Sequence, residues 1–179
     1  MDSLAGKIII LHHALDDADL PHAFGGALAL AWCTERARGT IDIDVNILIP
    51  ASEYQRAIDA MPEGVRVTKK DLRLFRQEGQ VRLWWNRTPV DVFLNSTDFH
   101  QQLVKRVRWE EFASQNIPFL SCIDLAVFKA FFNRTKDWAD LEEMYAAGTL
   151  NIEQVQATLI KYLGVDDERI IQLTSLAER

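Results

Sequence analysis

Long apolar runs, cysteines and repetitive tracts are scarce in this chain of 179 residues, and each scarcity excludes a class of protein. No apolar run approaches the roughly 18 residues that a membrane-spanning helix needs. The two cysteines, Cys33 and Cys122, cannot build a disulfide framework or a four-ligand zinc site. We expect both to be buried free thiols in a reducing compartment. The first residues lack the basic segment and cleavage site of a secretory signal, so a cytoplasmic location is expected.

The composition is that of a globular domain, with 48% hydrophobic and 26% charged residues. A formal net charge of −6 argues against a general nucleic-acid coat protein. The charge is uneven, because residues 66–108 carry ten Lys and Arg against four Asp and Glu. This basic segment is either a solvated face of helices and hairpins or a cationic wall beside an active site that receives a polyanion.

Hydrophobic patterning predicts a mixed α/β core followed by helices only. We expect an α/β (α+β) protein in which helices flank a small mixed sheet, with residues 1–116 as the core and 117–179 as a C-terminal helical segment packing against it. Helix caps are predicted at Ser121, Asn151 and Asp166 or Asp167. The predicted strands are 22–24, 41–49, 65–67, 80–85 and 89–94, and the predicted helices before residue 118 are 4–18, 27–36, 51–60, 71–77 and 97–106.

An Asp-x-Asp pair lies on the most apolar of these strands. Asp42 and Asp44 are two residues apart, so their carboxylates emerge on one face with Cα atoms about 7 Å apart. Like charges flanked by β-branched residues repel each other, so a cation between them is expected, and a divalent ion suits carboxylate oxygens. An edge strand that carries acidic residues for solubility is the alternative interpretation.

Two further features add to this pair. Gly25 and Gly26 lie between a short strand and a helix, where backbone N–H groups and the helix N-terminus favour an anion such as phosphate. Asp91 is a lone carboxylate among the apolar residues of a later strand, which is an improbable position unless it is paired or liganded.

Together these segments resemble the nucleotidyltransferase superfamily with the DNA-polymerase-β-like catalytic fold. They are most similar to bacterial minimal nucleotidyltransferases and to the AbiEii-like toxins of abortive-infection systems. One departure is Gly-Gly in place of Gly-Ser. The resemblance is carried by residues 21–30 (PHAFGGALAL), 38–45 (RGTIDIDV), 117–129 (IPFLSCIDLAVFK) and 134–141 (RTKDWADL).

The resemblance implies transfer of a nucleoside monophosphate from an NTP to an acceptor hydroxyl, with release of pyrophosphate. It implies that Asp42, Asp44 and Asp91 hold Mg²⁺, with Mn²⁺ as an alternative, and that Asp91 accepts the proton. The triphosphate would be bound by Gly25, Gly26, Arg38, Thr40 and Lys129. For Arg38 an ion pair with a carboxylate is the alternative, and Asp137 and Asp140 are expected to be structural partners of neighbouring basic residues.

The acceptor is left open between RNA, a protein and a small molecule such as an antibiotic. A toxin-like enzyme would have a cognate antitoxin, and a homo-oligomer is the other partner considered; no membrane partner is expected. The alternative function is a non-catalytic nucleotide-binding or partner-docking module of the same fold. This functional interpretation depends on the three carboxylates meeting around a divalent cation in front of the glycine turn. Side chains that face apart, or an arginine between them, would contradict it.

Overall fold

The computed structural model describes residues 3–178, which form two compact units. The first unit comprises the chain up to Leu28 together with Gly39–Leu120, and the second comprises Ala29–Arg38 together with the chain from Ser121 onward. Helix α2 (Gly26–Thr34) therefore begins in the first unit and continues in the second. Neither unit is one continuous stretch of sequence.

The first unit contains a mixed sheet whose strands run in the order β3-β4-β5-β2-β1-β7-β6. The expected α/β class is thereby confirmed. Its helices are α1 (Leu4–Asp17), the start of α2, a 3₁₀ turn (Ala51–Glu53), α3 (Tyr54–Asp59), α4 (Lys69–Glu78) and α5 (Asp98–Leu103). Its strands are β1 (His22–Phe24), β2 (Ile43–Pro50), β3 (Val65–Arg66), β4 (Gln80–Trp85), β5 (Thr88–Asn95), β6 (Arg108–Phe112) and β7 (Gln115–Phe119).

The central strands align the side chains that matter for the site. Strand β2 is parallel to β5 with Asp44 opposite Asp91, and β4 is antiparallel to β5 with Arg82 opposite Asp91. Residues directly opposite each other on neighbouring strands project to the same face of a sheet. Asp44, Asp91 and Arg82 therefore form a row across three strands, while Ile43 and Val45 are fully buried on the other face.

Two local predictions are corrected by the structure. Strand β2 begins at Ile43, two residues later than predicted, and Ile41 is 76% exposed. The reason is local, because the Thr40 hydroxyl hydrogen-bonds the backbone of Asp42 and holds a bend there. The β6–β7 hairpin was not predicted, because its turn residues Ala113 and Ser114 adopt positive φ without a glycine or an asparagine.

The second unit is helical, with the rest of α2, α6 (Cys122–Phe132), α7 (Thr135–Ala146), α8 (Ile152–Leu163) and α9 (Glu168–Ala177). A disulfide joins Cys33 of α2 to Cys122 of α6, with an Sγ–Sγ distance of 2.11 Å. The prediction of two free thiols is therefore wrong; the separation of 89 residues concealed the pairing. Among the helices between residues 3 and 178, none combines the length and apolarity needed to span a bilayer.

Candidate active site

Asp44 and Asp91 lie on one face of the sheet in the first unit, Asp42 directly precedes β2, and Arg82 contacts both Asp42 and Asp91. The guanidinium donates from Nε to Asp91 Oδ1 at 2.7 Å and from a terminal nitrogen to Asp91 Oδ2 at 2.6 Å. The same terminal nitrogen lies 3.3 Å from Asp42 Oδ2. Asp44 is the cross-strand neighbour of Asp91. The side chains of Arg82, Asp42 and Asp91 are 50%, 32% and 18% exposed.

The electrostatics of this cluster depend on Arg82. The hydrogen bonds to Asp91 raise the pKa of Arg82, and the negative charges of Asp91, Asp42 and Asp44 raise it further. Arg82 therefore stays protonated at any accessible pH and partly neutralises three carboxylates. The like-charge repulsion expected from the sequence is relieved by an arginine.

The donor chemistry suits Mg²⁺, but the arrangement does not. Both oxygens of Asp91 accept hydrogen bonds from Arg82, so a metal ion at Asp91 would meet the positive charge of the guanidinium. Within residues 3–178, no three Asp, Glu, His or Cys side chains are grouped so that they could hold one. An arginine between the carboxylates is the arrangement that counts against the predicted metal site.

The glycine turn lies directly against this acidic cluster. The Gly25 N–H donates to the Asp44 carbonyl at 2.9 Å, which attaches the turn to β2. Gly26 begins α2 at a φ of +54°, and a Cβ built there would stand 1.9 Å from Asp44 Oδ2. The Asp44 carboxylate therefore occupies the space that only a glycine leaves open at the start of α2, where the helix dipole favours negative charge. Gly25, Gly26 and Asp44 are brought together in the first unit.

The other predicted nucleotide-binding side chains have protein partners. Arg38 forms a salt bridge with Asp140, and that hydrogen bond is the main cause of its raised pKa. Lys129 Nζ lies 2.6 Å from Asp140 Oδ2 and 3.8 Å from Asp137 Oδ1. These residues form a network within the second unit, in which Lys129 is 7% exposed. Contact of Arg38, Thr40 and Lys129 with a triphosphate stays a prediction.

Arg82 is the residue that sequence reasoning missed, although a signal for it was present. With a two-residue turn at Asn86 and Arg87, the hairpin register pairs Trp85 with Thr88 and so pairs Arg82 with Asp91. Counting back from the turn would have placed the guanidinium beside the third carboxylate. Trp84, two residues further along β4, lies on the same exposed face, whereas Trp85 is buried.

His22, which shortly precedes the glycine turn, has partners outside the acidic cluster. Its Nε2 lies 2.9 Å from Nδ1 of His12, and its Nδ1 lies 2.7 Å from the Leu20 carbonyl oxygen. Burial lowers the pKa of His22 to about 4, so the ring is neutral near pH 7. The ring serves as a buried packing and hydrogen-bonding group at the start of β1.

No protein-family model matches the chain, and no curated protein matches its sequence. Solved structures do match. The antibiotic-resistance factor ANT(2'')-Ia in solution is 16% identical with a TM-score of 0.64, covering 97% of this chain and 96% of that one. An antigenic nucleotidyltransferase-like protein from Paracoccidioides brasiliensis is 14% identical with a TM-score of 0.54, covering 97% and 93%. Lincomycin-bound lincosamide adenylyltransferase LnuA is 12% identical with a TM-score of 0.53, covering 79% and 96%. The chain has the fold of these nucleotidyltransferases.

Proposed function

We propose that the chain transfers a nucleoside monophosphate from an NTP to an acceptor hydroxyl. The acceptor oxygen forms a bond to the α-phosphorus, the bond from that phosphorus to the β-phosphate bridging oxygen breaks, and pyrophosphate leaves. The observation that carries this proposal is the position of Asp44 and Asp91 on one sheet face beside the Gly25-Gly26 turn, with Asp42 directly before β2. A fold shared with nucleotidyltransferases supports it.

The roles follow from the charges of these groups. The backbone around Gly26 at the start of α2 carries the partial positive charge of a helix N-terminus, which attracts the phosphates. Asp91 is the proposed acceptor of the proton from the attacking hydroxyl once its carboxylate is released from Arg82. No step is assigned to a metal ion, because both Asp91 oxygens are engaged by Arg82.

The acceptor has two candidate classes. A small-molecule antibiotic is favoured by the neighbours, since ANT(2'')-Ia is also known in complex with adenylyl-2''-tobramycin and LnuA with lincomycin. An RNA or protein acceptor, as for a toxin with a cognate antitoxin, is the second class, and the ten basic residues between 66 and 108 favour RNA. Both classes supply a hydroxyl to the same reaction.

One observation favours a second function of another class. Arg82 forms salt bridges with Asp91 and Asp42. A carboxylate cluster that is already paired suits a non-catalytic module that binds a nucleotide or a partner protein. Such a module would bind NTP without transferring any part of it.

The decisive experiment offers each of the four α-labelled NTPs, with Mg²⁺ and with Mn²⁺, to cellular RNA, to cellular protein, and to aminoglycosides and lincosamides. We expect one acceptor class to be labelled, with pyrophosphate released in equal amount. Asp44→Asn should reduce labelling by about 100-fold or more, the scale on which loss of a charge-positioning group acts. Asp17→Asn, at an exposed position of α1, is the matched control and should label normally. Labelling by the Asp44→Asn variant at the native rate would overturn the proposal.

A cytoplasmic location belongs to the proposal, but the Cys33–Cys122 disulfide counts against it, because such bonds persist mainly in oxidising compartments. Trapping thiols in intact cells with an alkylating agent, before lysis, tests this point. A fully reduced protein is expected if the cytoplasmic location is correct.

A further inference from the structure

Asn46 is a buried polar residue on the same side of β2 as Asp44. The two residues are two positions apart on one strand, so their side chains project to one face, with Cα atoms about 7 Å apart. Asn46 lies opposite Ala23 of β1 and Phe93 of β5, in the middle strand of the sheet. It is only 6% exposed, whereas asparagine is mostly exposed in proteins. Its burial therefore needs an explanation.

The side-chain amide of Asn46 has no hydrogen-bond partner among residues 3–178. Every side-chain nitrogen or oxygen atom of this range that is sealed from solvent does have a partner, so the Asn46 amide keeps an opening to solvent. An amide that is withdrawn from most of its water without a protein partner lowers the stability of a fold. Groups that cost stability in this way are typical of functional sites.

The amide of Asn46 lies against the glycine turn. Its Nδ2 atom is 3.3 Å from the position that a Cβ on Gly25 would take, so the nitrogen is next to the backbone of the turn. Gly25 is followed by Gly26, the first residue of α2, and the first N–H groups of a helix have no partner within that helix. The Asn46 amide and the start of α2 therefore present N–H donors close to each other in the first unit.

A phosphate oxygen suits these donors because it is a charged acceptor, and a helix N-terminus favours negative charge. Asn46 can donate from two N–H groups without carrying a charge, so, unlike a lysine, it would not form an ion pair with neighbouring Asp44. We propose that Asn46 is a substrate-binding residue whose amide donates a hydrogen bond to a phosphate oxygen of the NTP at the Gly25-Gly26 turn. This inference rests on the proposed function, since it takes the NTP to bind at that turn.

The test measures the binding of two kinds of probe by calorimetry, with Mg²⁺ in the buffer throughout: the four NTPs, and inorganic tripolyphosphate, which has no base or sugar. Asn46→Ala should weaken the binding of both by the same factor, about tenfold or more, because a hydrogen bond to a charged oxygen is lost. Asn116→Ala removes an exposed amide from β7 of the same unit and should change either affinity by less than about twofold. Weaker NTP binding with unchanged tripolyphosphate binding would assign the contact to the base or ribose and overturn the proposal.

A second variant separates phosphate binding from a structural role. Leucine has nearly the shape of asparagine but no polar side-chain atoms, so Asn46→Leu removes the unpaired amide and should melt at the native temperature or up to about 4 °C above it. The same variant should bind tripolyphosphate about tenfold or more weakly than the native chain. A melting temperature of Asn46→Leu below that of the native chain would show that the amide is structural and would overturn the inference. Binding of tripolyphosphate by either Asn46 variant with the native affinity would overturn it as well.

The outcomes also distinguish this inference from the proposed function. Weaker tripolyphosphate and NTP binding in the Asn46 variants, without any acceptor labelled by the native chain, would refute nucleotidyl transfer and leave the role of Asn46 standing. A labelled acceptor with unchanged binding of both probes in the Asn46 variants would refute the role of Asn46 and leave the transfer standing. Absence of NTP and tripolyphosphate binding from the native chain would refute both.

Discussion

Replacing Gly26 with alanine is the most direct perturbation of the site geometry. The new Cβ would lie 1.9 Å from Asp44 Oδ2 and 2.5 Å from Asp44 Cγ, far below any tolerated contact. Either the Asp44 carboxylate leaves its position or the start of α2 moves. A φ of +54° adds the cost of a left-handed conformation, which is about 1–2 kcal/mol for a residue with a Cβ.

The expected decrease in the free energy of unfolding has two parts, which a matched variant separates. Overpacking contributes about 1–3 kcal/mol, so Gly26→Ala should lower the free energy of unfolding by about 2–5 kcal/mol in total. Gly79 lies in the same unit at a φ of +66°, but its added Cβ would meet only Ala51 Cβ, at 3.5 Å. Gly79→Ala should therefore cost only the conformational part, about 1–2 kcal/mol.

Urea unfolding of both variants, followed by circular dichroism, measures the difference. In an Asp44→Ala background the two closest clashes are removed, so Gly26→Ala should then cost about as much as Gly79→Ala. If Gly26→Ala is no more destabilising than Gly79→Ala in the native background, the Asp44 carboxylate is not held against α2. The reasoning that joins the glycine turn to the acidic cluster would then be wrong.

Three further predictions concern other parts of the molecule. Lys129→Met removes the cation that pairs with the buried Asp137 and Asp140, so it should lower the free energy of unfolding by about 3 kcal/mol. Lys136→Met, at an exposed position, should change the free energy of unfolding by less than about 0.5 kcal/mol. Equal effects of the two variants would contradict the buried network. Burial lowers the pKa of His22 to about 4 in the folded chain, against about 6.5 in the unfolded chain. As the pH decreases, the unfolded chain therefore binds this proton at a higher pH than the folded chain. The free energy of unfolding should therefore fall by up to about 3 kcal/mol as the pH decreases from 6.5 to 4, and the fall should be shallower in His22→Gln. Iodoacetamide should label no cysteine in the denatured, unreduced protein and should label both after reduction; a thiol labelled without reduction would disprove the disulfide.

Much of the fold was predictable because local signals agreed with the final packing. The bounds of β4 matched the prediction, and β5 differed by one residue at each end, since alternating burial on a hairpin is a strong period-two pattern. The caps at Asn151 and Asp167 were predicted because their side chains accept from backbone N–H groups at the helix starts. In such segments the residue's own chemistry decides the structure.

The parts that sequence reasoning missed depend on distant or unusual partners. The Cys33–Cys122 bond joins residues with no shared local pattern. The turn at Ala113 and Ser114 uses residues that rarely adopt positive φ. For the site, the spacing of Asp42 and Asp44 predicted that both would face one side of their strand, but it did not predict the arginine that contacts Asp42 and Asp91. A cation was expected there, and both Mg²⁺ and a guanidinium satisfy that requirement.

The pairing of β1 with both β2 and β7 constrains how the polypeptide can acquire its structure during synthesis. Phe24 is made early but pairs with Phe119, and Leu120 donates to the Phe24 carbonyl. A nascent chain shorter than about 120 residues thus leaves one edge of β1 exposed, and an unpaired strand edge invites association with other chains. Residues 29–38 belong to the second unit, and the rest of that unit begins only at Ser121, so these residues are synthesised long before the residues they pack with. A fragment ending at residue 116 would keep that open edge permanently and is a poor choice for isolating the first unit.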